Sequence, residues 1–192
     1  MSPGSDLPEL KASLLRDLGV ELRSDQGDQA FERHQLLAIR FNRAARLNRR
    51  KSDRRDGTIW NRYFDEHFPR GVEHADLLWN EWRVPLLKDE TPGKGVAISH
   101  GQPELHWQIT SGGLYLNLES LWDDYAASVE HFIAMLDTNT ERREIALERW
   151  EKLRWAVQMV SVEPSDASLL EPNVYTASAA SVSTSASTLK HT

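Results

Sequence analysis

The 192-residue sequence has no cysteine and no apolar run long enough to cross a membrane. The first absence excludes disulfides, thiolate zinc sites, iron–sulfur clusters and thiol nucleophiles. A membrane-spanning helix needs about 20 apolar residues, and the N-terminal segment also lacks the basic, apolar and small-residue regions of a secretory leader. We therefore expect a cytoplasmic protein without a membrane partner.

Familiar catalytic fingerprints are also missing. The chain contains no Gly-x-Ser-x-Gly, no His-Glu-x-x-His, no Rossmann glycine pattern and no Asp plus Glu-x-Lys nuclease pattern. Gly93-Lys94-Gly95 lacks the glycine spacing and the Ser or Thr of a Walker loop. These absences favour a non-catalytic protein without a cofactor or a metal ion, and dispersed catalytic residues are the alternative.

Positive charge is concentrated in one segment of an acidic chain. The 23 Lys and Arg residues are outnumbered by 29 Asp and Glu residues, which gives a net charge of −6. Residues 33–55 nevertheless contain nine basic residues and one acid, Asp53, so this block carries +8 and the remainder −14. A local block of this kind can bind a polyanion although the overall isoelectric point is low.

The chain divides into a central domain and two flanks. We predict a peripheral segment over residues 1–27, one domain over 28–162, and a disordered Ser/Thr/Ala-rich tail over 163–192, which has few large apolar residues to offset the entropy of ordering. A short amphipathic helix in the first segment, with Leu10, Leu14, Leu15 and Leu18, either docks or moves freely.

The domain is predicted to be α+β and predominantly helical. A helical group N-terminal to residue 96 begins with Asp28 as N-cap, and a small antiparallel hairpin or meander follows over about 96–118. Leu121, Trp122, Tyr125 and their helical successors then indicate a long helix. Thr138 and Glu141 form a capping-box pattern for a last helix, so the chain ends in an αα-hairpin.

The basic block is the first candidate site. Arg40, Arg43, Arg46 and Arg50 fall on one face of the helix predicted up to about residue 51, opposite the apolar residues. Arginine donates bidentate hydrogen bonds to phosphate, so the stripe predicts contact with nucleic acid or with an acidic protein surface. Internal pairing with carboxylates is the competing interpretation. The predicted polyanion-binding residues are Arg40, Arg43, Arg46, Arg49, Arg50, Lys51, Arg54 and Arg55.

Arg62 and His67 form a second candidate. Their Arg-x4-His spacing resembles the Arg-x4–6-His signature of HEPN ribonucleases, over six residues only, and Tyr63 stands where that family has a polar residue. The resemblance implies a small ribonuclease in which the pair assists 2′-hydroxyl attack and stabilises the charged phosphate. A surface arginine and a helix-terminal histidine are the structural alternative.

Two further hypotheses concern the second half of the chain. His100, Glu104 and His106 flank a turn and could share general acid/base chemistry or hold the metal of a metal-dependent hydrolase. Ala146, Trp150, Leu153 and Val157 recur at spacings of three and four on the last helix. That stripe indicates either a core face or a homo-oligomer that pairs through this helix.

Overall fold

A computed structural model describes residues 6–16, 30–68, 72–88, 91–99 and 101–160, with the side chains of residues 30, 72 and 155–160 excepted. Within these ranges the chain is a predominantly helical α+β fold with a small sheet, as predicted. The predicted N-cap Asp28, the candidate ligand His100 and the tail 163–192 lie outside the described residues. Among the described helices, none is both long and apolar enough to span a bilayer.

Of the described residues in the first part of the chain, three ranges form long helices: α1 (Asp6–Leu15), α2 (Ala30–Leu47) and α3 (Asp56–His67). α2 has no Gly or Pro, and Leu37, Phe41 and Ala45 recur at about one helical turn and are buried. α1 packs on the two C-terminal helices, and its Leu10 and Leu14 are buried. The first helix is therefore docked, because its leucines belong to the same core.

The fourth helical segment, α4 (residues 72–86), changes its winding along its length. A 3₁₀ turn (Val72–His74) leads through Ala75–Leu77 into a π-helical stretch (Leu78–Arg83), and Val84–Leu86 closes it. The wider winding places Trp82 in the core, where its ring packs edge-on against Phe41 at 5.9 Å. Pro85 lies in the last turn, and the helix ends at the next residue, Leu86.

The sheet has three strands in the order β1-β3-β2: β1 (Val96–Ser99), β2 (Ile109–Thr110) and β3 (Gly113–Asn117). β2 and β3 form the predicted antiparallel hairpin. β1 instead pairs with β3 in parallel, which corrects the prediction of a wholly antiparallel hairpin or meander. The reason lies in the connection before β2: a 3₁₀ turn and positive φ angles at Gln102 and Trp107 take the chain past the end of β3.

The chain then forms the predicted αα-hairpin from α5 (Leu118–Thr138) and α6 (Thr140–Val160). Asn117 caps α5 by accepting the Ser120 amide at 2.9 Å. The cap of α6 is Asn139, whose Oδ1 accepts the Arg142 amide at 3.1 Å, and not the predicted Thr138, which is the last residue of α5. One residue therefore separates the two long helices.

Phe41 lies at the centre of the core. Its ring lies between 4.8 and 6.0 Å from five other aromatic rings, which come from α3, α4, α5 and the residue after α3: Trp60, Phe64, Phe68, Trp82 and Tyr125. Aromatic burial of this extent dominates core energetics. It fixes α2 between the other helices and so orients the face that carries the arginines.

Candidate functional site

A groove lined by basic side chains runs along α2 and α6. Three cavities lie between these helices, of about 510 Å³ beside α1, about 360 Å³ in the middle and about 530 Å³ at the loop after α2, and the last two share Arg49. We call this surface the arginine groove. Among the described residues, its basic lining comprises Arg16, Arg40, Arg43, Arg46, Arg49, Arg50, Lys51, Arg142, Arg149, Lys152 and Arg154. Its acidic lining comprises Glu9, Asp56 and Glu141.

One wall of the groove is the predicted stripe. Arg40 and Arg43 line the cavity beside α1, and Arg46 lines the middle cavity. Arg49 belongs to both the middle and the loop cavity, where Arg50 and Lys51 join it. Arg54 and Arg55 line none of the three and lie exposed on the loop that precedes α3. Six of the eight predicted residues therefore meet along one groove.

The opposite wall, on α6, was missed by the sequence analysis. Arg142, Arg149 and Lys152 line the loop and middle cavities, and Arg154 lines the cavity beside α1. Spacings of seven and three residues place the first three on one side of a helix, which is a signal the sequence does contain. This basic pattern is hard to recognise in the sequence because four glutamates lie on the same helix, which therefore has almost no net charge.

Several guanidinium groups of the groove are bonded to neutral oxygens. Arg40 donates to the carbonyls of Ser13 and Arg16, Arg49 to the carbonyl of Asp53, and Arg149 to the carbonyl of Arg49. No carboxylate among the described residues forms a salt bridge with these arginines. Carbonyl partners orient a guanidinium and leave its charge uncompensated, so these groups retain their attraction for an anion.

Carboxylates do pair with other basic residues of the groove, in solvent-exposed contacts at Arg46 and Arg154 and in partly buried contacts with Glu66 at Arg50 and Arg142. Arg46 lies 3.3 Å from Asp56 with both side chains 52% exposed, and Arg154 lies 3.1 Å from Glu9. Exposed pairs of this kind contribute about 0–1 kcal/mol, so a phosphate can replace the carboxylate at little cost. The internal-pairing interpretation therefore accounts for only part of the stripe.

Asp53, the one acid of the basic block, shapes the loop end. It is 2% exposed and accepts two hydrogen bonds from Arg62, at 2.6 and 3.1 Å, and one from the Arg50 amide at 2.8 Å. Burial opposes its ionisation, but the hydrogen bonds from Arg62 and Arg50 lower the pKa of Asp53 below its usual value. Arg62 is therefore engaged in holding this loop.

Glu66 organises the floor beside the loop cavity. Its carboxylate accepts hydrogen bonds from Asn48 at 3.0 Å and from Arg142 at 2.7 Å, and it also pairs with Arg50. Burial raises the pKa of Glu66, yet the hydrogen bonds from Arg142 and Asn48 outweigh it and lower the pKa. The pairing ties α3 to α6 and holds both walls of the groove together.

His67 lies behind this cluster and not in the groove. It is 2% exposed, and its Nε2 lies 3.1 Å from Asn48 Oδ1. Burial lowers the pKa of His67 to about 4, so the imidazole is neutral near pH 7. Arg62 bonds Asp53 at 2.6 Å, and both residues of the Arg-x4-His pattern lie near Glu66, whose carboxylate oxygens are 4.0 Å from Arg62 Nη1 and 3.6 Å from His67 Nε2. Both side chains are therefore engaged within the chain, and a catalytic role for the pair stays a prediction.

His106 is also fully engaged. Its Nδ1 accepts the Asn117 amide at 3.1 Å, and its Nε2 lies 3.1 Å from Asp124 Oδ2. Glu104 is exposed, and its backbone carbonyl accepts a hydrogen bond from the Gln108 side-chain amide at 2.7 Å. Among the described residues no group of three histidine or acidic side chains is arranged to hold a metal ion. Asp124, which the sequence analysis did not associate with His106, orients that ring.

The helical stripe proposed for homo-oligomer formation faces the chain's own core. Ala146 is fully buried, Trp150 is 3% exposed, and Leu153 packs against the core. The side chain of Val157 lies outside the described residues. Ala146 and Trp150 are therefore used in packing α6 against the rest of the chain, where a second copy cannot reach them.

Comparison with protein-family models, with curated proteins and with solved structures finds no match to this chain. A function can therefore be argued only from the side chains of the groove.

Proposed function

We propose that the protein is a non-catalytic binding protein whose arginine groove holds the phosphate backbone of a nucleic-acid strand. The observation that carries this proposal is the lining itself, in which basic residues on two facing helices far outnumber acidic ones. Lining both walls with cations concentrates positive potential inside the groove, which raises the local concentration of a polyanion.

The spacing of the arginines favours nucleic acid over an acidic protein surface. Arg40, Arg43 and Arg46 recur every three residues, which is about 4.5 Å of helix rise per step. A nucleic-acid strand also carries its charges at regular intervals, so a row of cations along α2 can contact several successive phosphates. Acidic protein surfaces present carboxylates without such a period. Guanidinium groups also match phosphate by bidentate hydrogen bonding.

The test compares two charge-matched double variants. Arg46→Gln with Lys152→Gln removes one cation from each wall of the groove, and Lys88→Gln with Lys94→Gln removes two exposed cations that do not line it. Binding of labelled oligouridylate and oligothymidylate is followed by fluorescence anisotropy. We expect the groove variant to lose about tenfold or more in affinity and the control variant to bind as the parent does.

Two results would contradict the proposal. One is equal loss of affinity in the groove and control variants, which would indicate a diffuse effect of net charge. The other is absence of salt-sensitive binding by the parent at about 50 mM salt, since phosphate contacts are strongest at low ionic strength. If the true ligand were an acidic protein, the parent would show no salt-sensitive binding of the oligonucleotides.

A further inference from the structure

The end of the arginine groove beside α1 differs from the rest of it. This cavity has a volume of about 510 Å³ and is lined by side chains from three helices. They are Glu9 and Ser13 of α1, Arg16 directly after α1, Arg40 and Arg43 of α2, and Trp150 and Arg154 of α6. The middle and loop cavities have no lining residue from α1. Among the three cavities, α1 and the residue after it therefore line the groove only at this end.

Four guanidinium groups line the cavity against a single carboxylate. That carboxylate, Glu9, lies 3.1 Å from Arg154. Arg40 donates to the carbonyls of Ser13 and Arg16, and Arg43 contacts only the Ser13 hydroxyl, at 3.4 Å. Arg43 is therefore a partly buried cation next to another cation, and it has no acidic partner among the described residues. Such an arrangement is costly until an anion enters.

Two residues that line the cavity each carry a buried donor that has no acceptor, and an anion in the cavity reaches these donors only if the two side chains turn towards it. The indole Nε1 of Trp150 and the Nε of Arg43 are both buried, and neither has a hydrogen-bond partner in the described part of the chain. Trp150 is 3% exposed, so water does not satisfy its N–H freely. Indole and guanidinium nitrogens only donate, hence the missing partner must be an acceptor. A phosphate has acceptor oxygens on several sides.

From these observations, and on the premise of the proposed nucleic-acid groove, we infer that this cavity binds the terminal phosphate monoester of a strand. A monoester has three non-bridging oxygens and close to two negative charges near neutral pH. A phosphodiester within the strand has one charge and two such oxygens. The excess of guanidinium groups and the two unpartnered donors both suit the doubly charged terminal group better.

The experiment measures the affinity ratio between phosphorylated and unphosphorylated strands. Oligouridylate with a 5′-phosphate, with a 3′-phosphate or with neither is titrated into the full chain by fluorescence anisotropy. We expect one terminal phosphate to increase affinity by about tenfold to a hundredfold, since it gains charge-assisted hydrogen bonds. In nitrogen–proton NMR spectra, the Trp150 indole resonance, identified with Trp150→Phe, should move downfield only with that strand.

Variants locate the effect. Arg43→Gln and Trp150→Phe each remove one unpartnered donor, and both should reduce the ratio towards one while binding of the unphosphorylated strand persists. Arg149→Gln in the middle cavity is the control, expected to weaken both strands equally. Thermal unfolding checks that each variant is folded. Equal binding of all three strands overturns this inference and leaves the groove proposal intact, whereas no binding of any strand overturns both. A ratio unchanged in Arg43→Gln and Trp150→Phe also overturns it.

Discussion

Arg62 and Asp53 form a two-point ion pair in which the arginine Nε and terminal nitrogen each bond one carboxylate oxygen, at 3.1 and 2.6 Å. The residues lie nine positions apart, one on the loop after α2 and the other on α3. The pair fixes the loop on which Arg49, Arg50 and Lys51 stand. The only acid in the most basic segment of the chain thereby determines where that segment's charges are placed.

Replacing Asp53 tests this role. Asp53→Asn should lower the free energy of unfolding by about 2–3 kcal/mol at neutral pH, because Arg62 loses a buried charged partner. The lowered pKa means that the ion pair stabilises the fold fully above the unfolded-state value of about 4 and is lost as pH falls through the folded-state value. Urea unfolding of Asp56→Asn is the control: this carboxylate is 52% exposed, and about 0.5 kcal/mol is expected. Similar losses in both variants would contradict the prediction.

Lowering the pH should reduce the free energy of unfolding over a pH range that is set by two buried histidines. Burial lowers the pKa of both His34 and His67 to about 4, against about 6.5 in the unfolded chain. The unfolded chain then binds protons that the folded chain excludes, so stability falls as pH decreases from about 6.5 to 4. Between about pH 7 and 5 each histidine should remove about 2 kcal/mol, measured by urea unfolding.

Variants assign that pH dependence to its residues. His67→Gln and His34→Gln each retain a polar side chain, and each should abolish its own share of the pH dependence. An unchanged slope in both variants would show that other groups control acid unfolding. Direct NMR titration of the His67 ring in the parent should give a midpoint near the lowered pKa.

The helix cap between α5 and α6 provides a prediction with an adjacent control. Asn139→Ala removes the acceptor of the Arg142 amide and should cost about 1 kcal/mol. Thr138→Ala should cost less, since its hydroxyl bonds carbonyls within α5 that are already in a helix. Thermal unfolding measures both. The reverse order would restore Thr138 as the cap that the capping-box pattern predicts.

The salt dependence of strand binding should show how many cations of the exposed loop contact phosphates. Lys51, Arg54 and Arg55 are exposed and have no ion-pair partner among the described residues. If the strand passes the loop, replacing all three by Gln should reduce the slope of log affinity against log salt by about 2–3, one for each lost phosphate contact. Anisotropy titrations between about 50 and 200 mM salt measure it. An unchanged slope would show that the strand does not contact these three residues and that its contacts stop at the loop cavity.

Much of the fold was predictable because its signals are local. Local patterns in the sequence predicted α2, a helical group before residue 96, the hairpin within 96–118 and the αα-hairpin. The parallel pairing of β1 with β3 was not predictable, since it depends on the backbone at Gln102 and Trp107, where residues other than glycine adopt positive φ. Local periodicity does not report which strands become neighbours.

The site was predicted on one wall and missed on the other. The α2 arginines stand out because few acids interrupt them, whereas Arg142, Arg149 and Lys152 alternate with glutamates. Only the packing of α6 along α2 shows that its basic residues face the same groove. Trp150 has the spacing of a core residue and is one, so its unpartnered indole nitrogen could not be inferred from periodicity.

The strand order also constrains how the chain acquires its structure. β3 is the last strand in sequence and the middle one in space, so β1 and β2 have no partner strand until residues 113–117 have been synthesised. During translation the sheet forms late, and the edge of β1 stays open to other pairings until then. Helices form from local contacts, so α2 and α3 can associate before β3 has been synthesised and can pair with β1 and β2.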